Sequence, residues 1–86
     1  MRDLVYWQKF DPAEFQYEFN EAELAAHGVT LDEAIETLWN GFQVRRNKRA
    51  GTGYQLTGHT DAGRYLKLIV YEKTKGVLRV ITGWPI

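Results

Sequence analysis

Polar and apolar residues alternate along three stretches in the second half of the chain, residues 54–60, 64–72 and 77–82. Alternation at every second position is typical of strands that bury one face of a sheet. One face of the predicted sheet is apolar, with Leu56, Leu66, Leu68, Val70, Leu78 and Val80. The other mixes cations, phenols and an imidazole with two aliphatic side chains: Gln55, Thr57, His59, Tyr65, Lys67, Ile69, Tyr71, Arg79 and Ile81. We therefore expect one core face, covered by the rest of the chain, and one exposed polar face.

A helix start signal precedes these strands. Asp11 is placed to act as the N-cap, Pro12 suits the first helical position, and Glu14 is spaced to complete a capping box. The helix should end at His27-Gly28, because glycine is favoured just past a helix C-terminus. Its apolar stripe, which should pack on the sheet, consists of Phe15, Phe19, Ala22 and Ala26.

A second helix should start directly afterwards. Thr30 and Glu33 have the spacing of a capping box, and Asn40-Gly41 is a stop signal. Apolar positions recur with a helical period, which predicts that this stripe also packs into the core. The stripe consists of Leu31, Ile35, Leu38 and Trp39. Trp39 is therefore expected to be a core residue and not a stacking platform for a ligand.

Two further strands complete the expected fold, at residues 4–7 and 42–46. The order is then β-α-α-β-β-β-β, with the last four strands in an antiparallel meander and both helices on one face. This order predicts the α+β class. The 86 residues are enough for a single domain that spans residues 1–86.

Composition argues against several classes of site. The chain has no cysteine, so we expect neither a disulfide nor a thiolate metal site. Its two histidines lie 32 positions apart, and no zinc-ligand cluster, Ser/His/Asp order or dinucleotide fingerprint occurs. No apolar run reaches the length of a membrane span or forms a signal peptide. We expect a cytoplasmic protein with no metal, no cofactor and no membrane contact.

Charge is distributed unevenly along a chain whose formal net charge is zero. Residues 1–40 contain two basic and nine acidic side chains, whereas residues 41–86 contain nine basic and two acidic ones. One interpretation is that separate surfaces bind an anion and a basic partner, or that the chain self-associates. The other is an ordinary arrangement of acidic solvated helices and basic exposed strands. Both interpretations stay open.

The polar sheet face carries the side chains that RNA cleavage requires. Attack by a 2′-hydroxyl needs a base, an acid for the leaving oxygen, and positive charge at the phosphorane. The face offers an imidazole, cations and phenols on rigid strands, with His59, Lys67, Arg79, Tyr65 and Tyr71. The alternative is that a partner chain covers its tyrosines and isoleucines while the cations lie at the rim. The position of His27 at a helix end favours a structural interaction with the helix dipole over a catalytic role.

The loop at residues 45–53 carries four cations and two glycines, and its bases are Arg45, Arg46, Lys48 and Arg49. Such a loop can bind phosphates through side chains and freed amides, which predicts a small nucleic-acid-binding domain. It is also typical of an ordinary solvated turn, and its glycines do not match a phosphate-loop pattern.

Several short segments together resemble the BrnT-type toxins. Residues 27–34 (His-Gly-Val-Thr-Leu-Asp-Glu-Ala) are similar to that family's His-Gly-Val-Ser/Thr-x-x-Glu-Ala segment. Gly58-His59-Thr60, Gly63-Arg64 and residues 78–82 (Leu-Arg-Val-Ile-Thr) resemble the rest of its core. The order and spacing of these segments agree over residues 4–84.

The resemblance implies a RelE-like fold and a type II toxin–antitoxin system. In such a pair, a metal-independent ribonuclease is neutralised by a ribbon-helix-helix antitoxin of the BrnA type, and oligomers form through the antitoxin. By position, the family's polar residues correspond to His27, His59, Arg64 and Arg79. The candidate catalytic residues are then Arg79 and Lys67 to hold the phosphate, His59 as base or acid, and His27 or Tyr71 as its complement. The candidate substrate-binding residues are Arg64, Tyr65, Arg45, Arg46 and Arg49.

This chain departs from the family pattern in two places. Members usually carry a lysine in the turn before the His-Gly pair, where this chain has Glu-Leu-Ala-Ala at residues 23–26. They usually continue with Ser-Ala-Arg near the end, where this chain has Thr82-Gly83-Trp84. The arginine replaced by Trp84 would be a phosphate ligand. The alternative function is therefore a catalytically weak or inactive member that acts as a protein-interaction module.

Overall fold

The computed structural model describes residues 10–46 and 53–86, and it shows an α+β fold. A 3₁₀ helix at Pro12–Glu14 comes first. The strands are β1 (Gln16–Phe19), β2 (Phe42–Arg46), β3 (Tyr54–His59), β4 (Tyr65–Thr74) and β5 (Val77–Pro85). Helices α1 (Glu21–Ala26) and α2 (Leu31–Trp39) lie between β1 and β2 in the sequence.

The strands form one five-stranded sheet in the order β1-β5-β4-β3-β2. Strands β2 to β5 form the antiparallel meander predicted from the alternation pattern. The sheet as a whole is mixed, because β1 pairs with β5 in parallel. The element order is β-α-α-β-β-β-β, but its first strand is β1, while the strand predicted at residues 4–7 lies outside the described residues.

The prediction of one continuous helix from Pro12 to Ala26 is wrong. Asp11 does act as a cap, since its Oδ1 accepts the Ala13 N–H at 3.0 Å, but only the 3₁₀ helix follows. The chain then extends into β1 because residues 15–19 (Phe-Gln-Tyr-Glu-Phe) also alternate with the period of a strand. Helix α1 starts at Glu21 and is capped by Asn20, whose Oδ1 accepts the Glu23 N–H. The expected stripe does not form, and Ala22 and Ala26 are exposed.

The turn between the helices confirms the predicted caps. His27 is the C-cap of α1, and Gly28 follows with a φ of 78°, a conformation that glycine adopts without steric penalty. Both halves of the capping box form between Thr30 and Glu33. Neither α1 nor α2 combines the length and hydropathy that a transmembrane helix requires, and the described residues hold no other candidate span.

The core lies between the two helices and one face of the sheet, as predicted. All six apolar positions of the predicted core face are fully buried, and both helices contribute buried side chains to the same cluster. Gly83 allows α1 to approach β5 closely. A Cβ at this position would lie 2.6 Å from Leu68 Cδ2 and 3.1 Å from Leu24 Cδ2, so a larger residue would push the helix away.

Of the stripe predicted for helix α2, Leu38 is buried in the core as expected, but the rest of the buried face is formed by other residues. Ala34, Thr37 and Leu38 face the sheet, and the Thr37 hydroxyl is satisfied by donating to the Glu33 carbonyl at 2.9 Å. Trp39 is 55 % exposed and Ile35 is 38 % exposed, so the prediction that Trp39 is a core residue is wrong. The apolar arc of α2 is wider than the contact with the sheet, and Leu31, Ile35 and Trp39 lie along its outer edge.

Candidate functional site

The sheet face opposite the helices, called the polar face below, carries rows of side chains set by the strand register. Side chains of directly paired residues lie on the same face of a sheet and are near neighbours. The rows are His59–Tyr65, Thr57–Lys67–Trp84, Arg45–Gln55–Ile69–Thr82 and Tyr71–Arg79–Glu18. Lys67 and Arg79 therefore lie on the same side of the sheet, away from the core.

A register shift in β5 changes the membership of this face. Ile69 pairs with Thr82 while Val70 pairs with Val80, so Ile81 is the extra residue of a bulge. Thr82 and Trp84 consequently join the polar face. The alternation pattern missed Trp84, and the one local signal was Gly83, since a glycine inside a strand often marks a bulge or a close approach.

The first cluster on the polar face, called the His59 end, consists of His59, Tyr65 and Lys67. The His59 and Tyr65 rings lie 5.9 Å apart, and Tyr65 is 57 % exposed. His59 is half-buried, and its Nδ1 is buried without a hydrogen-bond partner among the described residues. Its backbone carbonyl accepts the Asn40 side-chain amide at 3.1 Å, which fixes the end of β3 to the end of α2.

Lys67 supplies the cation of this cluster. It lies two positions from Tyr65 along β4, a separation of about 7 Å between Cα atoms. It is half-buried, and within residues 10–46 and 53–86 no carboxylate forms an ion pair with it. The His59 end thus combines an imidazole, a phenol and an uncompensated ammonium group.

The second cluster, called the Arg79 end, consists of Tyr71, Lys73, Arg79 and Glu18. The Glu18 carboxylate contacts Lys73 Nζ at 3.1 Å and Arg79 Nη1 at 3.3 Å. It therefore offsets much of the positive charge that the sequence predicted here. Glu18 was not expected on this face because the pattern of residues 12–26 predicts a helix. The signal that could have found it is the alternation of residues 15–19.

The two clusters are too far apart to act on one phosphate. Tyr65 lies opposite His59 and Tyr71 lies opposite Arg79, and these tyrosines are six residues apart on β4. Six residues of strand span about 20 Å. The structure therefore brings His59, Tyr65 and Lys67 together, and it places Arg79 and Tyr71 in a separate group.

Arg64 joins the helices to the β3–β4 connection. Its guanidinium donates to both carboxylate oxygens of Glu33, at 3.0 and 3.1 Å, and to the Gly28 carbonyl at 3.1 Å. The pKa of the Glu33 carboxyl is lowered, first by the hydrogen bond from the Thr30 backbone N–H and then by Arg64. These contacts give Arg64 a structural role.

His27 lies outside both clusters. It is exposed, its Nε2 is 3.3 Å from Glu23 Oε1, and its ring is 6.0 Å from that of Trp84. Glu23 also contacts the Thr82 hydroxyl at 3.3 Å. Helix α1 therefore lies beside β5 beyond the end of β1 and brings His27 to the edge of the polar face.

The basic residues of β2 lie on different faces. Arg45 pairs with Gln55 and extends the polar face to the edge of the sheet. Arg46 pairs with Tyr54 on the other face, and its guanidinium lies 5.8 Å from the centre of that ring. Arg49 lies outside the described residues, as does most of the basic loop.

The described residues contain no group of three or more His, Asp or Glu side chains that could hold a metal ion. Comparisons of the chain with protein-family models, with curated proteins and with solved structures found no match.

Proposed function

We propose that this protein is a metal-independent ribonuclease and that RNA reacts at the His59 end of the polar face. The observation that carries the proposal is the placement of His59, Tyr65 and Lys67 at neighbouring positions of β3 and β4. Strand positions hold side chains more rigidly than loops do, which favours a site that must orient a phosphate. The absence of a carboxylate beside Lys67 among the described residues leaves its charge available to an anion.

The reaction transfers a phosphoryl group within the RNA. It moves from the 5′-oxygen of one nucleotide to the 2′-oxygen of the nucleotide before it. A base takes the proton of the 2′-hydroxyl, the 2′-oxygen bonds to phosphorus, and the 5′-oxygen leaves with a proton from an acid. His59 serves as one of these two groups and Tyr65 is placed to complement it. Lys67 stabilises the negative charge that develops on the phosphorane oxygens.

The exposed aromatic ring of Tyr65 also suits an RNA base. Stacking of a base on an aromatic side chain contributes about 1–3 kcal/mol and tolerates any base. Trp84, opposite Lys67 on β5, offers a second ring on the far side of the cation. Single-stranded RNA laid across β3, β4 and β5 would thus meet a ring on either side of the ammonium group.

The direct test is incubation of the purified protein with a mixed RNA in the presence of a chelator. His59→Ala should slow cleavage by about 100-fold or more, the usual contribution of a general acid or base. Lys67→Ala should also slow it, whereas Lys75→Ala, at an exposed turn lysine, should cleave like the wild type. The products should carry 2′,3′-cyclic phosphate and 5′-hydroxyl ends. If the wild type and a His59→Ala, Lys67→Ala double variant give the same RNA pattern, this function is excluded.

We propose further that the protein is the toxin of a type II toxin–antitoxin pair with a RelE-like fold and a ribbon-helix-helix antitoxin. The support is the set of BrnT-like segments together with the β-α-α-β-β-β-β order. Expression of the chain alone should arrest bacterial growth, and co-expression of the adjacent gene's product should relieve the arrest. His59→Ala should abolish the arrest while leaving the thermal unfolding transition cooperative.

A second candidate function is a protein-interaction module of the same fold. Two observations favour it: Glu18 compensates Arg79 and Lys73, and Ile69 is only 8 % exposed although it lies on the polar face. This function predicts stable association with a partner, no RNA cleavage and no growth arrest. Growth arrest that disappears in a folded His59→Ala variant would exclude it.

A further inference from the structure

An apolar groove of about 480 Å³ lies on the helix side of the molecule, away from the polar face. It is called the α2 groove below. One wall is the outer stripe of α2, with Leu31, Ile35 and Trp39, and the other is the segment around β1, with Phe15, Tyr17 and Phe19. The two walls are apolar and largely aromatic, so the groove offers a continuous hydrophobic surface.

The walls of the groove are ordered by the core beneath them. Tyr17 and Phe19 pack against the core cluster, with their ring centres 5.9 Å apart, and the Tyr17 hydroxyl donates to the Pro12 carbonyl at 2.9 Å. Trp39 and Ile35 nevertheless leave 55 % and 38 % of their surface exposed. Exposed apolar surface of this kind, arranged along one groove, marks an interaction site in a folded protein.

The groove lies within the acidic part of the chain. Residues 10–44 contain eight carboxylates and no lysine or arginine. Glu21 lines the groove itself. Asp32 is exposed and follows Leu31 in the sequence, so at 100° per residue it borders the apolar stripe on its solvent side. An occupant of the groove therefore meets hydrophobic walls and a negative rim.

We propose that the α2 groove binds an amphipathic helix of another protein, with aliphatic side chains on one face and lysine or arginine beside them. Leu31, Ile35 and Trp39 are spaced four residues apart and form a ridge of the type against which a second helix packs. Helix-in-groove recognition uses such anchors at i, i+3, i+4 and i+7. The acidic rim selects a basic helix, because complementary charge speeds association and excludes acidic competitors.

Neither helix of a second copy of this chain suits the α2 groove. Both α1 and α2 lack lysine and arginine, and α2 carries Asp32, Glu33 and Glu36. Either helix placed on the same groove of another copy would bring carboxylates against carboxylates. The inference also does not depend on RNA cleavage, because the groove and the His59 end lie on opposite sides of the sheet.

The test uses the full chain and two labelled helical peptides of ~18 residues, about five turns. Both carry leucine at i, i+3, i+4 and i+7, and the flanking positions are lysine in one peptide and glutamate in the other. Fluorescence anisotropy should show binding of the lysine peptide and little binding of the glutamate peptide. Raising the salt concentration should weaken the complex, since exposed charge pairs are screened.

The matched variants are Ile35→Glu and Ile81→Glu, because both isoleucines are 38 % exposed and only Ile35 lines the groove. Ile35→Glu should weaken binding by about tenfold or more, the effect of a buried interface anchor. Ile81→Glu should bind like the wild type. A Glu21→Lys, Asp32→Lys double variant, which reverses the charge of the rim, should reverse the preference and bind the glutamate peptide more tightly.

Three outcomes would overturn the inference: equal binding of the two peptides, equal loss in the two isoleucine variants, or no binding of the lysine peptide. A concentration-dependent dimer that Ile35→Glu dissociates would also overturn it, in favour of a contact between copies. RNA cleavage by the Ile35→Glu protein should match the wild type, so failure of the groove and failure of the ribonuclease proposal are distinguished.

Discussion

The polar face and the α2 groove rest on opposite sides of one sheet, and they differ in chemistry at almost every position. The polar face carries hydroxyl, imidazole, phenol and ammonium groups on β3, β4 and β5. The groove carries aliphatic and aromatic side chains with carboxylates at its rim. A chain with no net charge thus presents two surfaces of opposite sign, which suits two different ligands. Glu18 is the exception, an acid on the polar face, and it divides that face into an uncompensated and a compensated end.

Leu24 fixes α1 to the core face of the sheet that separates these two regions. Leu24 is fully buried, and Leu24→Ala should lower the free energy of unfolding by about 2–5 kcal/mol through lost burial and a residual cavity. Leu31→Ala makes the same chemical change in the wall of the groove, where the side chain is only half-buried. Its effect should be clearly smaller, because less surface returns to water. Urea unfolding of both variants measures the difference, and equal losses would mean that the groove wall is part of the core.

The Glu33–Arg64 pair links α2 to the strand connection next to the His59 end. Removing it should cause the second largest loss of free energy of unfolding. Glu33→Ala removes half of the capping box and the partner of Arg64, and should cost about 1–2 kcal/mol at pH 7. The folded protein holds the pKa of this carboxyl below its ordinary value of 4.5. The contribution is therefore fully present above that value and is lost as the pH falls through the lower, folded-state pKa.

The measurement is the difference in unfolding free energy between wild type and variant from pH 7 down to pH 3. That difference should narrow only below about pH 4.5. Glu33→Gln is the matched control, because glutamine can still accept the Thr30 N–H but carries no charge. It should therefore lose less free energy of unfolding than Glu33→Ala does. A difference that stays constant with pH would show that the charge of Glu33 does not contribute.

The meander could be predicted closely from the sequence because the signal for it is local. Predicted strands at residues 54–60, 64–72 and 77–82 correspond to Tyr54–His59, Tyr65–Thr74 and Val77–Pro85. Short connections between them fix which strands are neighbours, so the face shared by His59, Tyr65 and Lys67 followed as well. The caps at Thr30 and His27 were local signals of the same kind.

Strand β1 could not be predicted in the same way because its sequence satisfies two periods. Phe15 and Phe19 are four residues apart, as in a helix, while Phe15, Tyr17 and Phe19 also alternate, as in a strand. The strand forms because β1 pairs with the edge of β5, which lies about sixty residues later in the sequence. The position of Glu18 beside Arg79, and hence the loss of free charge at that end, followed from this distant pairing. The bulge at Ile81, which brings Trp84 to the polar face, had no clear local signal beyond Gly83.

Tyr17 lies in the wall of the α2 groove, and changing it should affect the free energy of unfolding less than changing Glu33 does. Burial, aided by Asp11, raises the pKa of its phenol to about 12. The neutral phenol is thus favoured in the folded protein, and this contribution is present below pH 10 and lost as the pH rises from 10 to 12. Tyr17→Phe removes the hydrogen bond to Pro12 and should cost about 0.5–1.5 kcal/mol near neutral pH. An absorbance titration should show one fewer phenolate forming near pH 12 in Tyr17→Phe than in the wild type.

The smallest effect is expected at Glu18, whose carboxylate should lower the affinity of the polar face for RNA. Glu18→Gln frees Arg79 and Lys73, and should raise affinity for a single-stranded RNA homopolymer about threefold, since an exposed ion pair is worth under about 1 kcal/mol. The slope of log affinity against log salt should steepen by up to about 1.4, or 0.7 for each cation released to a phosphate. Glu14→Gln changes the net charge equally, but Glu14 lies in the 3₁₀ helix outside the sheet, so this variant should leave both quantities unchanged. If the two variants behave alike, RNA responds to the overall charge and not to this face; if only Glu18→Gln changes binding, RNA extends from the His59 end along β4 and β5 to Arg79.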